Sequence, residues 1–140
     1  MTSEADCQVA PQSAPAREPR PPTVLIVEDD DDTRYAMDSV LAREGYLVLT
    51  AATGRDAIST LQEPLSPIDV VLLDVHLPDV DGTALCARMR ELYPKLPIVV
   101  CSGEASAEEV AALVRLGAVR YFRKPVGVDE LLSSVEAVLP

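Results

Sequence analysis

Asp74 closes the apolar run Val70-Val71-Leu72-Leu73 and stands just before the turn Val75-His76-Leu77-Pro78-Asp79-Val80-Asp81-Gly82. A carboxylate carried by a buried strand to an open edge can serve as a nucleophile or a metal ligand. Three further apolar runs end the same way. Thr23-Val24-Leu25-Ile26-Val27 leads into Glu28-Asp29-Asp30, Ile98-Val99-Val100-Cys101 into Ser102, and Val119 to Arg123 into Lys124-Pro125. Carboxylates, a hydroxyl and an ammonium thus gather at the carboxyl ends of four strands, the edge at which open parallel α/β sheets bind ligands. The set suits a divalent metal and a phosphoryl group, with Asp74 as the acceptor.

The elements that must position these groups alternate from Thr23 onward. The apolar spacing predicts a first helix from about Asp32 to Glu44, with Ala36, Met37, Val40 and Leu41 on one face. Asp31 or Asp32 would cap it and Gly45 would end it. A second strand follows from Tyr46 to Thr50, then a short helix from Arg55 to Leu61. Pro64 and Pro67 separate that helix from the third strand. A third helix is expected from about Thr83 to Leu92, closed by Tyr93-Pro94 and Pro97. Ser106-Ala107-Glu108-Glu109 reads as a capping box for a fourth helix that stops near Gly117. The last helix runs from about Asp129 to Leu139. Five strands alternating with five helices over short connections imply an α/β fold: a doubly wound, right-handed parallel sheet covered on both faces. In the order 2-1-3-4-5, the first and third strands are neighbours, and a crevice opens between their acids.

Composition narrows the function. A chain of 140 residues makes one domain with a single core, and its net charge of -11 opposes direct binding to nucleic acid or an anionic membrane. Its apolar runs are far too short to cross a bilayer, and the amino terminus, with Glu4 and Asp6, lacks the apolar centre of a signal peptide. Cys7, Cys86 and Cys101 match no metal spacing, and their odd number argues against a disulfide framework. Reduced thiols of a cytoplasmic protein are expected. Residues 1–22 carry Pro11, Pro15, Pro19, Pro21 and Pro22 among Ala, Ser, Gln and charge. Such a segment buries too little apolar surface to offset its ordering entropy, and it reads as a flexible tail.

Four segments in order, Val24 to Asp29, Leu73 to Gly82, Cys101-Ser102-Gly103 and Arg123-Lys124-Pro125, resemble the receiver domain of bacterial two-component response regulators. The resemblance implies a CheY-like, flavodoxin-like receiver fold over residues 23–140. It implies a phospho-aspartate switch rather than a conventional enzyme, one that catalyses its own phosphorylation and dephosphorylation. Asp74 would accept phosphate from a sensor histidine kinase or a histidine phosphotransfer protein. Mg2+ would be held by Asp29, Asp74 and the His76 backbone carbonyl, with Glu28 acting mainly through water. The His76 side chain would be an exposed loop group. Lys124, aimed by a cis bond to Pro125, would pair first with Asp74 and then with its phosphate. Ser102 would donate to a phosphoryl oxygen, and Tyr121 would be the aromatic switch. Together Ser102 and Tyr121 would couple the site to a downstream protein target at the face of helix four, strand five and helix five. A phosphoryl group adds nearly two negative charges, and a switch between mostly inactive and mostly active ensembles needs about 5.5 kcal/mol of differential stabilisation.

Rival readings meet obstacles in the same residues. Asp79-Val80-Asp81-Gly82-Thr83 spells the nucleophile motif of haloacid-dehalogenase-like phosphatases, but Leu77-Pro78 puts it in a loop after the strand has ended. Asp81-Gly82 reads instead as a tight turn before the third helix. A flavodoxin would need a hydroxyl- and glycine-rich phosphate loop where Glu28 to Asp32 stand, and those acids repel phosphate. A receiver that only binds partners would usually have lost an acid or the lysine, and this chain keeps them. A stand-alone regulator and the receiver portion of a longer protein both fit, since no output region follows Leu139.

Overall fold

The structure is a computed structural model, and it describes residues 20–63, 67–124 and 127–139. Most of the expected tail, Pro64 and the Lys124–Pro125 bond lie outside the described residues. The elements run β1 (Thr23–Val27), α1 (Asp31–Arg43), β2 (Leu47–Ala51), α2 (Gly54–Leu61), β3 (Val70–Leu73), α3 (Gly82–Leu92), β4 (Ile98–Ser102), α4 (Ala107–Arg115), β5 (Arg120–Arg123) and α5 (Val128–Val138). All strand pairs are parallel, in the order β2-β1-β3-β4-β5. This is the doubly wound, flavodoxin-like arrangement expected from the alternation.

Runs of Val, Ile and Leu without polar alternation form strands buried on both faces. β1, β3 and β4 are such strands, with every residue buried. Their side chains divide by parity. Leu25, Val27, Val71, Leu73 and Val100 pack with Ala57 of α2, Leu85 and Met89 of α3 and Leu113 of α4. Val24, Ile26, Leu72 and Val99 pack with Met37 and Leu41 of α1 and Leu131 and Val135 of α5. Full burial of each such aliphatic side chain contributes about 2 kcal/mol. The two edge strands, β2 and β5, are only partly covered.

Helix boundaries follow local chemistry, with two departures from the sequence expectation. Asp30, not Asp31 or Asp32, caps α1: its backbone is extended and its carboxylate accepts from the Thr33 amide at 2.8 Å. Asp31 and Asp32 already lie within the first turn, where negative charge favours the positive end of the helix dipole. Ala36 is exposed, whereas Met37, Val40 and Leu41 form the stripe of α1 that packs on the sheet. Gly45 and Gly117 take φ near +94° and +96°, the left-handed geometry that ends α1 and α4. The Ser106–Glu109 capping box forms in full. Residues 20–22, grouped with the tail by composition, are tied to the sheet. Arg20 pairs with Asp69 at 3.1 Å, and the Leu47 amide donates to the Pro22 carbonyl at 3.0 Å.

Candidate functional site

Parallel pairing of β1 with β3 brings their carboxyl ends side by side. The Asp74 amide donates to the Val27 carbonyl at 2.9 Å, which sets Asp74 directly across from Glu28 and Asp29. One carboxylate oxygen from each of Glu28, Asp29 and Asp74 lies within 4.8 Å of the other two. Glu28 and Asp74 are buried, at 2% and 7% exposure, and Asp29 is exposed. Three like charges at that spacing need a cation. Lys124 supplies one from the end of β5, whose last step is fixed by the Lys124 amide donating to the Ser102 carbonyl at 3.1 Å.

The Lys124 ammonium donates to Glu28 Oε1 and stands 3.7 Å from Asp74 Oδ2. Its nearer partner is therefore Glu28, where the sequence reading had Asp74. Glu28 is the more deeply buried acid, and its longer side chain reaches towards β5. Burial pushes the Glu28 carboxyl above its ordinary range, and the Asp74 charge adds to this. The Lys124 and Asp30 hydrogen bonds oppose the rise without cancelling it. Burial alone would lower Lys124, but the Glu28 hydrogen bond and the charges of Asp74 and Glu28 prevail and hold it above the usual lysine value. Cys101, deep in the sheet beside this cluster, is pushed up to about 12 by burial and remains a thiol.

The turn after Asp74 is closed on itself. The Gly82 amide donates to the Val75 carbonyl at 2.8 Å, and His76 and Asp81 form an antiparallel bridge. A side chain at Gly82 would overlap the Val75 backbone, so this close approach requires glycine. The His76 amide donates to Asp74 Oδ1 at 3.3 Å, while its imidazole is exposed and lies 3.4 Å from Glu109 of α4. Both acids of the phosphatase-like motif are engaged as caps. Asp79 accepts from the Gly54 and Arg55 amides at 2.8 and 3.0 Å, and Asp81 accepts from Thr83.

Ser102 is buried at the end of β4, and its hydroxyl accepts from the Glu104 amide at 3.4 Å. The Tyr121 hydroxyl donates to the Ser102 carbonyl at 3.5 Å from the half-buried face of β5. One contact was absent from the sequence reading. Arg34 of α1 donates to the carbonyls of Glu28 and Asp29, at 2.9 and 3.4 Å. Its only sequence signal is a cation two residues after a run of five acids, inside the first helix.

Known proteins share this fold. The family model described as the response regulator receiver domain matches residues 24–136. The chain is 37% identical over 118 residues to the transcriptional regulatory protein AfsQ1 of Streptomyces coelicolor, covering 84% of this chain and 51% of that protein. It is 34% identical over 119 residues to the response regulator MprA of Mycolicibacterium vanbaalenii, covering 85% and 51% respectively. The chain thus spans about half the length of these relatives. Among solved structures, a CheY-like receiver domain protein from Methanospirillum hungatei superposes with a TM-score of 0.80 at 30% identity, over 84% of this chain and 92% of that one. The Vibrio cholerae chemotaxis protein CheY4 gives 0.79 at 30% identity, over 85% and 99%.

Proposed function

Since the chain belongs to the response regulator receiver family, we propose that it is a Mg2+-dependent phospho-aspartate switch with Asp74 as the acceptor. The observation that carries this reading is the packing of Glu28, Asp29 and Asp74 within 4.8 Å, with the Lys124 ammonium between Glu28 and Asp74. Hard carboxylate oxygens at one crevice fit magnesium, and Asp29, Asp74 and the His76 backbone carbonyl would hold it. Both Glu28 oxygens already accept hydrogen bonds, from Lys124 and from the Asp30 amide at 3.1 Å, which favours a role through water. When bound, the ion supplies charge neutralisation between an anionic nucleophile and an anionic donor.

The remaining chemistry belongs to the chain. An Asp74 oxygen bonds to phosphorus as the bond to the donor nitrogen of a histidine kinase or a histidine phosphotransfer protein breaks. Lys124, a compact charge within reach of Asp74, then pairs with the phosphoryl oxygens, and Ser102 donates its hydroxyl to one of them. Later hydrolysis of the acyl phosphate restores the carboxylate. Ser102 and Tyr121, already in contact, carry the change to the α4–β5–α5 face. Val114 of α4, Val119 just before β5 and Val128 of α5 are exposed apolar residues on these elements and suit a downstream protein target. Relatives such as the DNA-binding transcriptional regulator NtrC of Proteus hauseri, of which the match covers 24%, contain much besides this domain. Any contact with DNA would come from such a further region, not from the acidic receiver. Among the described residues no helix is long and apolar enough to cross a membrane, Cys86 and Cys101 are free thiols, and we place the exchange in the cytoplasm.

Intact mass after incubation with acetyl phosphate and magnesium, beside Asp74→Ala, tests the reading. One added phosphoryl group is expected, absent without magnesium and absent in the variant. The variant should keep its fold, because removing one acid from the cluster relieves repulsion. Equal labelling of both proteins would overturn Asp74 as the acceptor. If neither labels, a phosphohistidine donor replaces acetyl phosphate and decides between a receiver that needs its kinase and one that works by binding alone.

A further inference from the structure

Five consecutive acids, Glu28 to Asp32, follow β1. Their turn has two tasks: it must aim Glu28 and Asp29 into the crevice, and it must leave Asp30 free to cap α1. Arg34 spans this turn. One guanidinium nitrogen donates to the Glu28 carbonyl at 2.9 Å and reaches the Asp29 carbonyl at 3.4 Å, and the other pairs with the exposed Asp31 carboxylate. Its side chain is only 22% exposed, so these bonds are partly shielded from water. We propose that Arg34 is a positioning residue that holds the peptide units of Glu28 and Asp29 in the orientation required for magnesium binding. The proposal rests on reading this crevice as the magnesium site.

Two effects of the guanidinium oppose each other. As a positive charge near a cation site it weakens metal binding, whereas as a planar fork, with one nitrogen on two adjacent carbonyls and the other on Asp31, it orders the ligand-bearing turn. The charge effect is shared with the Asp31 carboxylate that the guanidinium pairs with, and it decays over about 8 Å at physiological salt. Loss of an outer-shell partner that orients metal ligands typically lowers affinity by about 10- to 100-fold. Ordering therefore prevails. A lysine keeps the charge but, as a point donor on a flexible stem, does not hold the carbonyls and the Asp31 carboxylate at once in fixed geometry.

The test is a titration of the full chain with magnesium chloride, followed through the amide resonances of Asp29, Asp74 and His76. Arg34→Gln should bind magnesium about tenfold more weakly, and Arg34→Lys should also bind more weakly despite its charge. Tighter binding by Arg34→Gln, with Arg34→Lys unchanged, would show a purely electrostatic role and overturn the proposal. A lowered melting temperature with unchanged magnesium affinity in both variants would overturn it as well. If Arg34→Gln does not fold, Arg34→Lys decides alone, weaker binding supporting the proposal and unchanged binding refuting it. Asp29→Asn, run in parallel, separates the two levels. Unaltered affinity there would remove the magnesium assignment itself, and the Arg34 role would fall with it.

Discussion

The three central strands and the edge strand β5 deliver groups to the same site on opposite principles. β1, β3 and β4 are buried along their whole length, packed between α1 and α5 on one face and α2, α3 and α4 on the other. They end in Glu28, Asp74 and Ser102, whose backbones are pinned by neighbouring strands. β5, Arg120–Arg123, pairs on one side only, with Arg120 and Arg123 exposed and Tyr121 and Phe122 half-buried. It carries Tyr121 and leads to Lys124. The acids are thus fixed in a buried platform, while the cation and the aromatic ring lie on an edge strand that is paired on one side only. Low local stability is the usual source of moving parts, so the division suits a switch whose charges stay in place and whose readout shifts.

Substitutions in the two regions should separate them sharply. Leu25→Ala, in the middle of β1 at 0% exposure, should cost about 2–5 kcal/mol in denaturant unfolding. Val119→Ala, just before β5 at 52% exposure, should stay within about 0.5 kcal/mol. Similar losses at both sites would mean that the edge is as firmly built as the centre.

Lys124→Ala probes the charge that joins the regions. It leaves the buried Glu28 without its nearest donor, at a cost of about 1.5–3 kcal/mol at neutral pH. The difference from the unaltered chain should shrink as pH falls, because a protonated Glu28 no longer needs the ammonium. Glu28 titrates above its ordinary value, so the convergence should begin above the usual glutamate range. A gap that stays constant down to acid pH would detach Lys124 from Glu28. In the same variant the response to phosphorylation should weaken more than magnesium binding does.

The smallest effect is expected at Asp79. The Gly54 and Arg55 amides hold its carboxyl below the usual aspartate range. A depressed folded value contributes stability above the ordinary aspartate value, and that stability is lost as pH falls through the folded one. Asp79→Asn should therefore be slightly less stable near neutrality and indistinguishable from the unaltered chain in strong acid. Parallel melting curves across pH would contradict this.

Much of this organisation was legible beforehand because it is local. Apolar runs ending in acids located Glu28, Asp29 and Asp74, and strand alternation put the first two beside the third. Gly45, Gly117 and the Ser106–Glu109 box marked helix ends through backbone geometry that adjacent residues dictate. What escaped was set by distance. Whether Lys124 lies closer to Glu28 or to Asp74 depends on depth in the crevice. Asp79 caps a helix 24 residues earlier in the chain. Asp30 was passed over as the cap of α1 because three adjacent aspartates offer the same chemistry, and only the turn conformation chooses among them.

The closed turn from Val75 to Gly82 also bears on how this molecule can vary. The His76–Asp81 bridge and the Gly82–Val75 bond leave a ring of fixed circumference, with backbones too close at Gly82 to admit even a methyl group. One inserted residue would break the bridge and swing α3 out of register with the strand that carries the acceptor. Diversity here must come by exchanging the outward side chains of His76 and Pro78 at constant length. Length polymorphism is better tolerated at exposed, weakly bonded loops elsewhere. The acceptor loop is a place for new letters, not for longer words.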